Sequence, residues 1–476
     1  MKKKIMLVLG PALCLLFFLA PFELINPAAD KVIGVALWMI VWWITETVSI
    51  SVTALIPLTF FPLLGIMPIK EVAVNYGHPI IFLFFGGFVL ALALEKVNLH
   101  RRVALGIIKL TGTSPNKIIL GFMLATAFLS MWISNTATTV VMLPIAYSVI
   151  ELLIDDADGF TKNDRNFALS IMLGIAYAAN VGGISTLIGT PPNIVLAGFM
   201  ENEYNYSISF VKWMMVGIPF AIIMLFFIYY VLTKFLYPNH LASFEESKTL
   251  IDREMDKLGK INKSEIIVML IFIIAIAFWI GKNYLNSLFP NLNLSDTTIS
   301  LVAAFACFIA THQNRQILDW EDTKRLPWGI LLLFGGGLAL ASSLSEVGII
   351  DLIGTAVSNH TTLSILIVCS ILITVMLFMT ELMSNVALIA IFAPMVAGVA
   401  IGLNVDLLHI LIPVTMASSC AFMLPMSTPP NAIVFASGYV KVAQMARAGF
   451  VLNLISIALL ILFFQFVIPL VFSFPN

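Results

Sequence analysis

Charge is the scarcest thing in this chain. Only 11% of its 476 residues are Asp, Glu, Lys or Arg, against about a quarter in an ordinary soluble domain. A chain so poor in polar groups cannot cover a folded surface with them, so lipid must be its solvent. The 25 basic residues nearly balance the 26 acidic ones, and the net charge of −1 leaves no basic footprint for nucleic acid. Cysteine is scarce as well. Cys14, Cys307, Cys369 and Cys420 lie far apart without a Cys-x-x-Cys pair. They read as small buried apolar residues rather than as a disulfide or metal framework. No HExxH, GxSxG or Walker loop occurs, so the common sequence signals of an enzyme are missing and none is expected.

Long apolar runs are what the chain has instead. It is 60% hydrophobic, with a mean hydropathy of +1.02. Runs of about 20 apolar residues can cross a bilayer as helices. They fall near 5–24, 32–50, 52–65, 79–97, 166–200, 209–236, 264–283, 297–311, 328–346, 406–438 and 446–472. That pattern predicts an all-α polytopic membrane protein with about eleven crossings. Two further apolar regions, 115–154 and 362–402, each centre on a Ser-Asn pair. The N-terminal "MKKKIMLVLGPALCLLFFLA" has the basic-then-apolar order of a signal peptide. We expect it to be retained as the first crossing, within residues 1–30, with its lysines inside.

Basic residues then mark one side of the membrane. The fourth crossing exits at Lys96, Arg101, Arg102 and Lys109, and the sixth at Lys248, Arg253, Lys257, Lys260 and Lys263. The eighth exits at Arg315, Lys324 and Arg325, and the tenth at Lys441 and Arg447. Even-numbered exits are therefore cytoplasmic, which predicts a cytoplasmic N-terminus and an external C-terminus. The charged stretch 237–263 reads as a cytoplasmic linker between halves 31–236 and 264–476. The halves repeat: "FLFFGGFVLALALEKV" from Phe82 resembles "LLLFGGGLALASSLSEV" from Leu331, and Ser134-Asn135 returns as Ser384-Asn385. With an odd number of crossings each, such halves are inverted relative to one another, an arrangement common in secondary transporters.

Four polar interruptions remain. The apolar arms 118–133 and 137–152 that flank the first Ser-Asn-Thr triplet are too short to span. As helices they reach about 24 Å, against a hydrocarbon core of roughly 30 Å. Re-entrant hairpins over 115–154 and 362–402 fit these lengths. Their tips must be buried in protein or face water, because lipid-exposed irregular backbone is forbidden there. "NVGGISTLIGTPPN" from Asn180 and "SSCAFMLPMSTPPN" from Ser418 break the helices at 166–200 and 406–438. In each "TPPN" the threonine can cap a new half-helix that starts at the proline. A lone Ser-Asn pair is commonly interhelical glue and a lone Pro-Pro a kink; four such motifs in two duplicated pairs point to a site. Residues 166–200, 362–402 and 406–436 contain no Lys or Arg. An anion bound there needs a compensating cation. The many uncharged oxygens suit Na⁺ better than Ca²⁺ or Zn²⁺.

On "SMWISNTATT", "IGTPPN", "FMTELMSNVAL" and "SSCAFMLPMSTPPNAIVF", the chain resembles the divalent anion:sodium symporters, the dicarboxylate/sodium symporter family, over nearly its whole length. The resemblance implies a homodimer in the inner (plasma) membrane, with scaffold and transport domains and an elevator motion. It implies carriage of succinate, malate or fumarate, or in relatives of citrate or sulfate. By that resemblance Ser134, Asn135, Thr136, Ser384 and Asn385 hold the substrate carboxylates, with Thr190, Thr428 and Pro429 lining the same site. One sodium lies among Ser130, Ser134, Asn135 and Gly189, and the other among Thr380, Met383, Ser384, Asn385 and Ser427. Val386 departs from the family's usual threonine, and at this substrate-binding position it alters the expected preference. Glu381 reads either as a proton or cation site or as a structural partner to the scaffold. Glu46 reads as a satisfied polar group, and Trp38, Trp42 and Trp43 as interfacial anchors. The leading expectation is sodium–dicarboxylate symport. A proton-coupled or exchange-type carrier of citrate or sulfate, and an uncoupled anion channel, stay open beside it.

Overall fold

The apolar runs fold as helices in a computed structural model that describes residues 2–19, 22, 26–112, 114–154, 160–241, 245–313, 315–360 and 363–472. Among the described residues, eight helices are long and apolar enough to cross a membrane, and six shorter apolar helices accompany them. The C-terminal end at 473–476 lies outside the described residues, as do 242–244 of the linker and 362 at the edge of the second hairpin region.

Each half runs through the same order of elements. In the first it is Pro79–Lys96, Leu99–Thr111, a hairpin of Pro115–Ser130 and Asn135–Ile154, a broken pair of Lys162–Ile184 and Pro191–Tyr204, and a long helix from Phe210. The second repeats it with Trp328–Glu346, Ile349–His360, a hairpin of Ile365–Thr380 and Asn385–Gly402, the broken pair Leu407–Ser418 and Pro429–Ala436, and a long helix from Val442. Proline opens both half-helices that follow the breaks, where its missing N–H is not needed.

Three segments differ from the sequence reading. The third crossing, expected at 52–65, is two short helices, Ile50–Thr53 and Ile56–Leu63, separated ahead of Pro57. The linker 237–263 contains a helix, Glu245–Lys257. The basic exit after Lys96 is also a helix, Leu99–Thr111, which buries His100, Ala104, Leu105 and Ile108 along one face. Opposite charges tie these two helices together. Lys109 pairs with Asp252 at 2.7 Å, and Arg101 reaches Glu254 at 3.9 Å. Arg102 contacts Glu265 at 2.5 Å and donates to the carbonyls of Gly259 (3.0 Å) and Leu258 (3.2 Å).

Of the three tryptophans expected at an interface, Trp38 and Trp43 are buried and Trp42 is half-buried. Trp43 is fully buried and its indole donates to the Ile50 carbonyl at 3.1 Å, while Trp38 packs edge-on against Trp42 and Phe60. Burial inside a helix pack outweighs the interfacial preference. The four cysteines are free and buried.

The first hairpin seats against the first broken helix by backbone approach. A Cβ on Gly182 would lie 2.6 Å from the Ala127 Cα. Gly182→Ala must therefore push the two helices apart, and overpacking of this kind costs about 1–3 kcal/mol. Gly106, on Leu99–Thr111, has nothing within 4 Å of such a Cβ. We expect Gly182→Ala to lower the melting temperature of the purified protein, and Gly106→Ala to leave it unchanged or raise it slightly.

Candidate functional site

Both hairpin tips and both helix breaks line one cavity of about 890 Å³. The first tip is the turn 131–134, after which Asn135 opens the second arm. The second is the turn 381–384, followed by Asn385. Ser134, Asn135, Thr136, Ser384, Asn385 and Val386 all face this cavity, as do Gly189, Thr190, Met383, Ser427, Thr428 and Pro429. Thr136 and Pro429 are exposed to it. Ser130 and Thr380 are fully buried behind the tips.

The breaks are held open by the last residue of each "TPPN". The Asn193 amide donates to the carbonyls of Gly183 (3.3 Å) and Thr186 (2.8 Å). Asn431 does the same to Ala421 and Leu424, at 3.1 Å each, in positions 238 residues further on. Each asparagine thus satisfies carbonyls that the interrupted helix has released. Thr428 caps its half-helix by accepting from the Asn431 N–H at 3.3 Å, whereas the Thr190 side chain makes no such cap. Ser427 is tied within the break, its hydroxyl donating to the Leu424 carbonyl at 2.7 Å.

Behind each tip lies a nest of oxygens with too few protons. The Ser130 hydroxyl is 2.6 Å from Asn135 Oδ1 and 2.7 Å from the Ala179 carbonyl. The Thr380 hydroxyl is 2.7 Å from Asn385 Oδ1 and 2.5 Å from the Ser418 carbonyl. A hydroxyl has one proton and can serve only one acceptor of each pair. With each asparagine Oδ1 turned to the hydroxyl, the other oxygen is left facing a lone pair. Uncharged, oxygen-rich and proton-poor, these nests suit a weakly held hard monovalent cation. Gly183 makes room for the first, since a Cβ there would sit 2.5 Å from Asn135 Oδ1. Among the described residues, Asn193 Oδ1 and Asn180 Oδ1 are also buried without a hydrogen-bond partner.

Sequence reasoning found the side chains of these nests but missed the carbonyls of Ala179 and Ser418, because a carbonyl carries no residue signature. It also passed over Asn180, whose amide joins the two breaks by donating to Thr428 Oγ1 and the Ala421 carbonyl at 3.1 Å each. A lone asparagine in the apolar run before Gly182-Gly183 was its signal.

One acidic residue matches the structural one of its two expected roles, and a second is placed differently from expectation. Glu381 is a structural hydrogen-bond partner. Its buried carboxylate accepts from the main-chain N–H groups of Phe422 (2.9 Å), Met423 (3.0 Å) and Leu424 (3.1 Å), and from the Asn453 amide (2.8 Å). It pins the second hairpin tip to the second break. Glu46 is not a satisfied interior group. It ends helix Pro27–Thr45 at φ +45°, is exposed, and lines the same cavity. We expect Glu381→Gln to lower thermal stability markedly, because an amide NH₂ would then face main-chain donors. Each bond to the carboxylate contributes about 1.5–3 kcal/mol. A thermal-shift measurement on purified protein checks this, and an unchanged melting temperature would contradict it.

Comparison with known proteins follows the same lines. Residues 2–473 match a family model described as the sodium:sulfate symporter transmembrane region. The sodium-dependent dicarboxylate transporter SdcS of Staphylococcus saprophyticus is 39% identical over 473 residues, covering 97% of this chain and 91% of that one. Its namesake in Staphylococcus aureus strain USA300 is 41% identical over 474 residues, with coverages of 98% and 91%. Among solved structures, the YdaH transporter of Alcanivorax borkumensis aligns over 98% of this chain and 99% of its own, with a TM-score of 0.61 and 12% identity. MtrF of Neisseria gonorrhoeae, presented as illuminating a class of antimetabolite efflux pumps, aligns over 85% and 83%, with a TM-score of 0.59 and 12% identity. At such identities these two speak for the fold alone.

Proposed function

The chain belongs to the sodium:sulfate symporter family, and from that premise we propose that it is a sodium-coupled symporter importing small dicarboxylates such as succinate, malate or fumarate. It is a membrane transporter and not an enzyme. The observation that carries the reading is the pair of proton-poor oxygen nests beside a single cavity. The full-length relatives named as sodium-dependent dicarboxylate transporters support it.

The chemistry follows from what the cavity has and lacks. Its tips and breaks offer hydroxyls, amides and half-helix N-termini to a dianion, and no cationic side chain. Sodium in the two nests supplies the compensating charge. Asn135 and Asn385 serve both ligands: Oδ1 turns to the cation, which leaves the amide N–H groups free for a carboxylate. Sodium first and substrate second is then the favourable order, because a dianion entering before the cation would lack compensating charge. The hairpins and broken helices would move together as the transport domain of a homodimer in the plasma membrane. In the orientation read from the basic loops, the N-terminus is cytoplasmic and the C-terminus external.

Uptake into proteoliposomes is the primary test. An inward sodium gradient should drive accumulation of labelled succinate, and a pH gradient alone should not. The reverse result would favour proton coupling, for which Glu381 is poorly suited with its carboxylate already holding four N–H donors. Passive flux without counterflow would mean a channel.

Two substitutions probe the ligands. Asn135→Ala should weaken both succinate and sodium binding, since coupling between two ligands is reciprocal. Loss of substrate affinity with native sodium dependence would argue against a shared amide. Val386 presents methyls where Thr136 presents a hydroxyl. Val386→Thr should tighten binding of four-carbon dicarboxylates by roughly tenfold, the effect of one hydrogen bond to a charged group. The native valine should tolerate citrate as a competitor. Competition curves for succinate and citrate that are identical in both proteins would remove Val386 from the site.

A further inference from the structure

The cavity continues beyond the tips to a rim of charged residues that the proposed site does not use. Its lining includes Glu46, Glu95 and Arg325. Among the described residues that line it, Arg325 is the one cation. Arg325 ends a short 3₁₀ helix, Trp320–Arg325, just before Trp328–Glu346. Glu95 comes from the far end of Pro79–Lys96.

The pair is loose. One guanidinium nitrogen contacts one Glu95 oxygen at 3.3 Å. The Arg325 side chain is 59% exposed, against 21% for Glu95. Guanidinium has five donors and favours two-point recognition of carboxylates. Among the described contacts, one donor is engaged, and the side chain is largely exposed where it lines the cavity. A structural ion pair fixed for stability looks different nearby: Arg102 meets Glu265 at 2.5 Å and adds two carbonyl contacts.

We propose that Arg325 is a docking residue for the substrate at the cavity mouth. It exchanges Glu95 for one carboxylate of the incoming or departing dianion. Glu95 acts as the competing ligand that keeps this station weak, so that the anion is passed on rather than trapped. Glu46, which lines the same cavity, repels the second carboxylate and directs it inward to the hydroxyls and amides of the tips. The station serves only the side on which this mouth opens. By the distribution of basic loops, that is the cytoplasmic side. The inference rests on the transport reading above.

The test compares the two faces of the membrane. Sodium-driven succinate transport is measured in intact cells, where substrate meets the external face, and in inside-out vesicles, where it meets the cytoplasmic face. Arg325→Gln should raise the half-saturating succinate concentration about two- to fivefold in inside-out vesicles, the range of an exposed ion pair. In intact cells it should change little. The same variant should flatten the dependence of that concentration on ionic strength, since screening acts on the exposed charge. Glu95→Gln, which frees Arg325, should lower the value in inside-out vesicles. Arg325→Lys should recover part of the loss. The half-saturating sodium concentration should be native in all three variants, as a purely structural defect would not leave it. Equal effects from both faces, or none, would overturn the docking role. Failure of the native protein to take up succinate with sodium would overturn the transport reading beneath it.

Discussion

A helix interrupted within a bilayer is tolerable only if the backbone groups it releases find partners inside the protein. That constraint organises the centre of this molecule. Asn193 and Asn431 return the freed carbonyls to hydrogen-bonded partners, and Glu381 collects three consecutive freed N–H groups. Only with those demands met can other polar groups be left incompletely paired. The Ser130 and Thr380 nests are such groups, short of protons, and so are the neighbouring Asn180 Oδ1 and Asn193 Oδ1.

The same constraint explains why basic side chains are kept away from the centre. Each Lys or Arg at that depth would need a permanent partner. On the proposed function, neutral donors avoid a fixed counter-charge that would hold the anion in every state. Charge is instead concentrated at the ends, where Arg102 clamps Glu265 and Lys109 meets Asp252. One exception reaches the cavity, and it stands at the rim.

Much of this was legible in the sequence because bilayer physics leaves strong periodic marks. Apolar runs gave the helices, and the two Ser-Asn pairs and two "TPPN" motifs picked out the lining of the cavity. What escaped was non-local. The Ala179 and Ser418 carbonyls belong to residues with no reactive side chain. The amides that hold Glu381 come from a break about 40 positions away. Trp43 has the composition of an interfacial anchor and is buried because a neighbouring break, at Ile50, offers its indole a carbonyl. The helices Leu99–Thr111 and Glu245–Lys257 look like loops by hydropathy because only one face of each is apolar.

The two halves also differ in how each hairpin joins its broken helix. In the first, residues 155–161 separate Ile154 from Lys162. In the second, only 403–406 separate Gly402 from Leu407. That shorter corner is closed by Leu403 N–H to Val399, Val405 N–H to Ala400, a left-handed Asn404 and the Asp406 cap on Leu408. A joint with so little slack transmits torque. The second hairpin and its broken helix are fastened to each other twice, at this corner and again at Glu381. With both ends of the pair tied, the angle between them is set by main-chain hydrogen bonds rather than by side-chain packing alone.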